Sequence, residues 1–228
     1  MSDEVYSHVA FDMKNYRSLA QYYPEGTIVT GGISKYGNAG GWRLGFAALP
    51  DELSDWVKSI NAVLSETTSC APTPVQKAAV HLFDPNPPPE TVAYFDDMRR
   101  ALKATGEYTA RRLRGMGALC HDPDGGFYVM PDFSPYADKF KAKGVTTNAE
   151  FVKQLLLEQE VSVLAGTHFL RPDDELSLRL SYVDFDGEAV LRAARSSSRK
   201  ELGEAFVREH CPNVVEGMDR MEKFINDY

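Results

Sequence analysis

Apolar residues recur at helical spacing over residues 51–66, where Leu53, Trp56, Val57, Ile60, Val63 and Leu64 fall on one stripe. A second helix is predicted over 74–83, opened by Pro74 in its first turn. The longest periodic stretch runs from 86 to 117. Prolines precede it, acids come early, and Arg111, Arg112 and Arg114 lie in its last turns before Gly115 and Gly117, the polarity that a helix dipole favours. Gly106 in its interior costs about 1 kcal/mol relative to alanine. Beyond it, 125–132 alternates as a strand, 148–160 reads as an amphipathic helix, and 161–166 and 176–182 read as strands. The segment 186–210 is helical with a break at its three serines, and a last helix covers 214–228. Upstream, TIVTGG (27–32) is a β-branched run ending in glycines, a strand that enters a loop. The class is α/β, with a small C-terminal sheet flanked by helices and a boundary around the long helix.

Composition supports a well-packed chain. Of 228 residues, 43% are hydrophobic and 25% charged, which excludes wholesale disorder. A formal net charge of −8 argues against a nucleic-acid or anionic-membrane surface. Cys70, Cys120 and Cys211 are scattered, as are the five histidines, so reduced thiols in a cytoplasmic protein are expected, without a disulfide framework or a metal site. No run reaches the roughly 18 apolar residues of a membrane span, and the early acids Asp3 and Glu4 do not suit a targeting peptide.

The chemistry is concentrated in GGISKYGNAGGWRLG (31–45). On residue type alone, Lys35 reads as a solvated lysine. Its surroundings differ: Ser34 precedes it, glycines crowd it, and Arg43 follows eight positions later. This stretch strongly resembles the pyridoxal-phosphate attachment motif of class I and II aminotransferases. The resemblance implies that Lys35 carries the cofactor as a Schiff base and shuttles the proton at the substrate Cα. It also implies that Arg43 and Ser34 bind the phosphate. The residue types suit that work, since a neutral lysine amine is a nucleophile and an arginine fork binds phosphate with two prongs. Gly40, Gly41 and Gly45 are expected to let backbone pack closely. Gly32 stands where many family members have serine, so one phosphate contact is expected to be missing or replaced there.

Two further segments carry the likeness. SDEVY resembles the family's strand end in which an aspartate is followed three residues later by a tyrosine, implying Asp3 at the pyridine nitrogen and Tyr6 at the phenolic oxygen. A helix-capping aspartate and a core tyrosine are the plain alternatives. LSLRLSY resembles the family's strand arginine that grips the substrate α-carboxylate, which points to Arg179; a solvated sheet face is the plain alternative. His168 and Arg171 nearby read equally as loop surface or substrate contacts. Tyr36 and Trp42 read as packing residues, and SCAPTPVQKAA (69–79) as packing or interface.

The likeness covers nearly the whole chain but only the later part of the family fold, the fold type I pyridoxal-phosphate transferases. It implies a remnant of the large mixed-sheet domain over 1–87, a linking helix over 88–116 and a small α/β domain over 117–228. The implied activity is amino transfer between an L-amino acid and a 2-oxo acid, in a homodimer when complete. A β- or γ-lyase on the same scaffold and a non-catalytic truncated paralogue remain open. Asp3, Tyr6, Lys35, Arg43 and Arg179 are expected to converge on one cleft.

Overall fold

The structure is a computed structural model that describes residues 1–198 and 201–228. It divides into two compact units, Met1–Asp96 and Asp97–Tyr228. The division falls within a single long helix, α3 (Pro89–Gly115), which confirms the periodic reading of 86–117 to within a few residues.

The first unit is built on a three-stranded sheet, β1 (Ser2–Asp3), β2 (Val29–Gly32) and β3 (Gly45–Ala48), in that order. The first pair is parallel and the second antiparallel. Helix α1 (Ser54–Thr67) follows, then α2 (Thr73–Ala79), which tightens into a 3-10 turn at Val80–Phe83. The apolar stripe expected on α1 is present but uncovered. Trp56 is 59% exposed and Val63 62%, and none of the helix's residues is buried. All four residues of β3 are exposed as well.

The second unit has its own sheet in the order β4 (Tyr128–Val129), β6 (Leu178–Ser181), β5 (Leu164–Ala165), both neighbours antiparallel to the central strand. The strands are shorter than their sequence patterns suggest. Over 125–132 the regular pairing gives way at Pro131, which has no N–H to donate; Asp132 then bridges to Leu119 and Ser177. Around the sheet lie α4 (Ala137–Ala142), α5 (Asn148–Gln159), α6 (Gly187–Ser196), α7 (Glu204–His210) and α8 (Pro212–Asp227). Three of the starts have a local cause. Thr147 and Glu150 form a reciprocal capping box at α5, Asp186 accepts two backbone N–H groups at α6, and Pro212 opens α8. The helical break expected at the serines falls after Ser196; Arg199 and Lys200 within that connection lie outside the described residues.

The core of this unit is aromatic. Phe133, Phe140, Phe151 and Phe224 are fully buried, and the Phe140 and Phe151 rings meet edge to face at 4.9 Å. Gly106 also finds its reason here. A Cβ at that position would lie 2.7 Å from Pro123 Cγ and 3.0 Å from the Tyr182 hydroxyl, so the helix interior gives up propensity for a close approach. Among the described residues no helix is long and apolar enough to cross a membrane.

Candidate functional site

Two strand ends organise the first unit's chemistry. β1 and β2 run parallel, with Asp3 opposite Thr30, and the Glu4 N–H extends the ladder to the Thr30 carbonyl at 2.7 Å. The chain therefore leaves both strands at the same edge of the sheet, where parallel α/β sheets receive ligands. One exit carries Asp3 and Tyr6; the other carries Ser34 and Lys35. They meet: the Lys35 Nζ lies 5.7 Å from the centre of the Tyr6 ring, a cation–π distance. Lys35, Ser34 and Tyr6 are half-buried, whereas Asp3 is exposed, with its Oδ1 accepting the Val5 N–H at 3.2 Å.

The lysine loop is held at both ends. The Ile33 N–H donates to the Leu44 carbonyl, the Ala39 N–H to Ile33 and the Asn38 N–H to Lys35 itself. Asn38 and Arg43 sit at φ 48° and 53°, left-handed conformations that most side chains avoid and that collect at functional loops. Arg43 donates one N–H to the Gly40 carbonyl at 2.8 Å and is otherwise turned to solvent. Tyr36 anchors the loop from below. It is buried, stacks on His8 at a centroid distance of 4.3 Å, and its carbonyl accepts the Tyr94 hydroxyl.

Three loop expectations sort differently. At Gly32 a Cβ would meet the Leu44 carbonyl at 3.0 Å, and at Gly45 the Gly31 carbonyl at 3.2 Å, so both glycines allow β2 and β3 to close. At Gly41 a Cβ would meet nothing within 4 Å, and at Gly40 only ordinary contact at 3.8 Å, so close packing within this chain explains neither. Trp42 is 53% exposed and is not a packing residue here, because it ends the 3-10 turn Gly40–Trp42, in which no residue is buried.

Sequence reasoning missed the Glu4 network. The Glu4 carboxylate accepts from the hydroxyls of Ser2, Tyr16 and Ser18, at 3.2, 2.9 and 2.5 Å, tying the segment 12–18 to the end of β1. Burial, helped by the Glu4 bond, pushes the Tyr16 phenol up to about 12, so this clasp stays protonated on the tyrosine side through the physiological range.

In the second unit, Arg179 lies on the central strand β6, opposite Leu164 of β5. Its guanidinium carbon sits 4.3 Å from the Tyr128 ring centre and 4.5 Å from that of Phe169. Among the described residues it has no hydrogen-bonded or ion-paired acceptor. The neighbouring Arg171 is different. It makes a two-pronged ion pair with Glu175 at 2.8 and 2.6 Å, which favours the loop-structural reading for it. Among the described residues no group of three or more His, Cys, Asp or Glu could hold a metal ion.

Comparison with known proteins shows the family. The family model for aminotransferase class I and II matches residues 1–196. The aspartate/prephenate aminotransferase of Cereibacter sphaeroides is 33% identical over 85% of this chain and 47% of its own length. The aspartate aminotransferase of Bacillus subtilis is 31% identical over 86% of this chain and 48% of its own. Among solved structures, an aspartate aminotransferase from Thermus thermophilus with maleate superposes with a TM-score of 0.65 at 28% identity, covering 85% of this chain and 46% of that one. The chain spans about half the length of the curated relatives that it matches. It has the fold of the corresponding part of these enzymes, and it belongs to the class I and II aminotransferase family.

Proposed function

We propose that the chain is part of a pyridoxal-phosphate-dependent aminotransferase that moves an amino group between an L-amino acid and a 2-oxo acid. The observation that carries this reading is the meeting of Lys35 and Tyr6 at the shared end of two parallel strands. The residues fit the cofactor in kind. A half-buried amine lies over a phenol, a solvent-facing guanidinium sits on a strained loop, and an exposed carboxylate ends the neighbouring strand.

When bound, pyridoxal phosphate supplies an electron-accepting ring that stabilises negative charge at the substrate Cα. Asp3 would keep the ring nitrogen protonated, and the Tyr6 hydroxyl would donate to the ring oxygen. Arg43 and Ser34 would take the phosphate, the guanidinium through paired N–H groups. Lys35 would hold the cofactor and then, once displaced by substrate, move the proton at Cα. Arg179 would receive the α-carboxylate. The dicarboxylate ligand of the Thermus thermophilus relative is consistent with acids as substrates. Membership of the family supports a homodimer with amino-acid and 2-oxo-acid substrates, and the three unpaired cysteines favour a reducing compartment.

The test is an assay of the chain with pyridoxal phosphate, mixed L-amino acids and 2-oxoglutarate, reading 2-oxo acid and ammonia together. Amino transfer gives new 2-oxo acid without ammonia and vanishes in Lys35→Ala. Because half the family length is not in this chain, turnover well below the roughly 1 per second of ordinary enzymes is expected. Released ammonia would assign elimination instead. Equal signals from native chain and Lys35→Ala would assign no catalysis.

A further inference from the structure

We infer that Tyr128 and Phe169 are positioning residues that fix the Arg179 guanidinium between two rings, leaving its N–H edge as the open approach for a carboxylate. The inference rests on the reading that Arg179 receives the substrate carboxylate, and adds what holds it ready.

The register of the small sheet brings these groups together. On β6, Arg179 and Ser181 share a face, and Tyr128 of β4 lies directly opposite Ser181, which makes it the diagonal neighbour of Arg179 on that face. Phe169 arrives from the other side. It ends the 3-10 turn Gly166–Phe169, which follows β5, the strand paired with β6 on its opposite edge. The rings therefore reach the guanidinium from β4 and from the turn after β5, at 4.3 and 4.5 Å from its carbon. Both distances are well inside the limit of about 6 Å for a cation–π contact. An arginine otherwise rotates about several bonds, and its fork recognises a carboxylate only when its plane is set. No acceptor among the described residues occupies the fork, whereas Arg171 nearby is fully committed to Glu175. The turn itself is pinned. Leu170, at φ 60°, donates its N–H to the Gly166 and Thr167 carbonyls, and a Cβ on Gly166 would fall 2.1 Å from the Ser177 hydroxyl, so the backbone carrying Phe169 lies tightly against β6.

The experiment titrates the 228-residue chain, labelled with ¹⁵N-arginine, with maleate and follows the Arg179 Nε–H resonance, assigned by its loss in Arg179→Lys. Phe169→Leu and Tyr128→Leu are each expected to weaken maleate binding about 3-fold, the scale of one partly exposed cation–π contact, and the double variant about 10-fold. Phe169→Tyr and Tyr128→Phe, which keep the rings, should bind as the native chain does. In the native chain the Nε–H order parameter should be that of a rigid group; a freely rotating Nε–H overturns the proposal even if the leucine variants do not fold. A folded double-leucine variant that binds maleate as tightly as the native chain overturns the positioning role alone. A native chain in which maleate leaves Arg179 unmoved overturns the carboxylate assignment, and the positioning role with it.

Discussion

The Lys35 amine lies over the Tyr6 ring, 5.7 Å from its centre, although the two residues leave different strands of the sheet. Nothing local in the sequence joins them. They meet because β1 and β2 are parallel, so that both connections begin at one edge, and because the buried Tyr36, stacked on His8, draws the lysine loop toward the segment that follows Tyr6. A motif spaced along the chain thereby brings an amine and a phenol together, beside the strand end that carries Asp3.

Replacing Gly106 by alanine sets two effects against each other. Helix propensity would favour the change by about 1 kcal/mol. The new Cβ would lie 2.7 Å from the ring of Pro123, and overpacking of that kind costs about 1–3 kcal/mol. The proline ring cannot swing away, so sterics win, and thermal melting should show a midpoint several degrees lower. A raised midpoint would show that the loop carrying Pro123 yields freely.

The uncovered stripe of α1 gives a second expectation. Trp56→Lys with Val63→Glu should change folding stability by no more than about 0.5 kcal/mol per site, as at ordinary surface positions. The same change should reduce dye binding to apolar surface and lower concentration-dependent association in sedimentation. A large loss of stability would mean that this face packs within the chain after all.

Thiol reactivity should separate the cysteines. Cys70 is exposed, whereas Cys211 is buried and burial pushes its thiol up to about 12, far from the thiolate that alkylating reagents need. With iodoacetamide near neutral pH, Cys70 should label quickly and Cys211 only as the second unit opens. Equal rates in the native chain would contradict the buried placement.

How much of this was legible in the sequence differs by element. Helix α3 was, because its period persists through many turns and its ends carry prolines, acids and arginines in dipole order. β3 was not: GFAA has no β-branched residue and is a strand only because it pairs with β2. The six-residue α4 was too short to show a period. For α1 the stripe was legible but its exposure was not, since periodicity names a face and not its partner. The aminotransferase family was legible from the motif residues, which stand at fixed spacing around Lys35. The Glu4 clasp was invisible, because Ser2, Tyr16 and Ser18 converge through turns that follow no period. The rings around Arg179 were equally hidden, since one comes from strand β4 and the other from the turn that follows β5.

The central claim is that Lys35 is the cofactor-bearing amine. The chain contains other lysines, several of them more exposed, and these set the background for any covalent capture. Incubating the chain with pyridoxal phosphate, reducing with borohydride and mapping the peptides tests the claim most directly. The stable adduct is expected on the peptide that carries Lys35, and is lost from that peptide in Lys35→Ala. An adduct spread over other lysines, with none on Lys35, would contradict it.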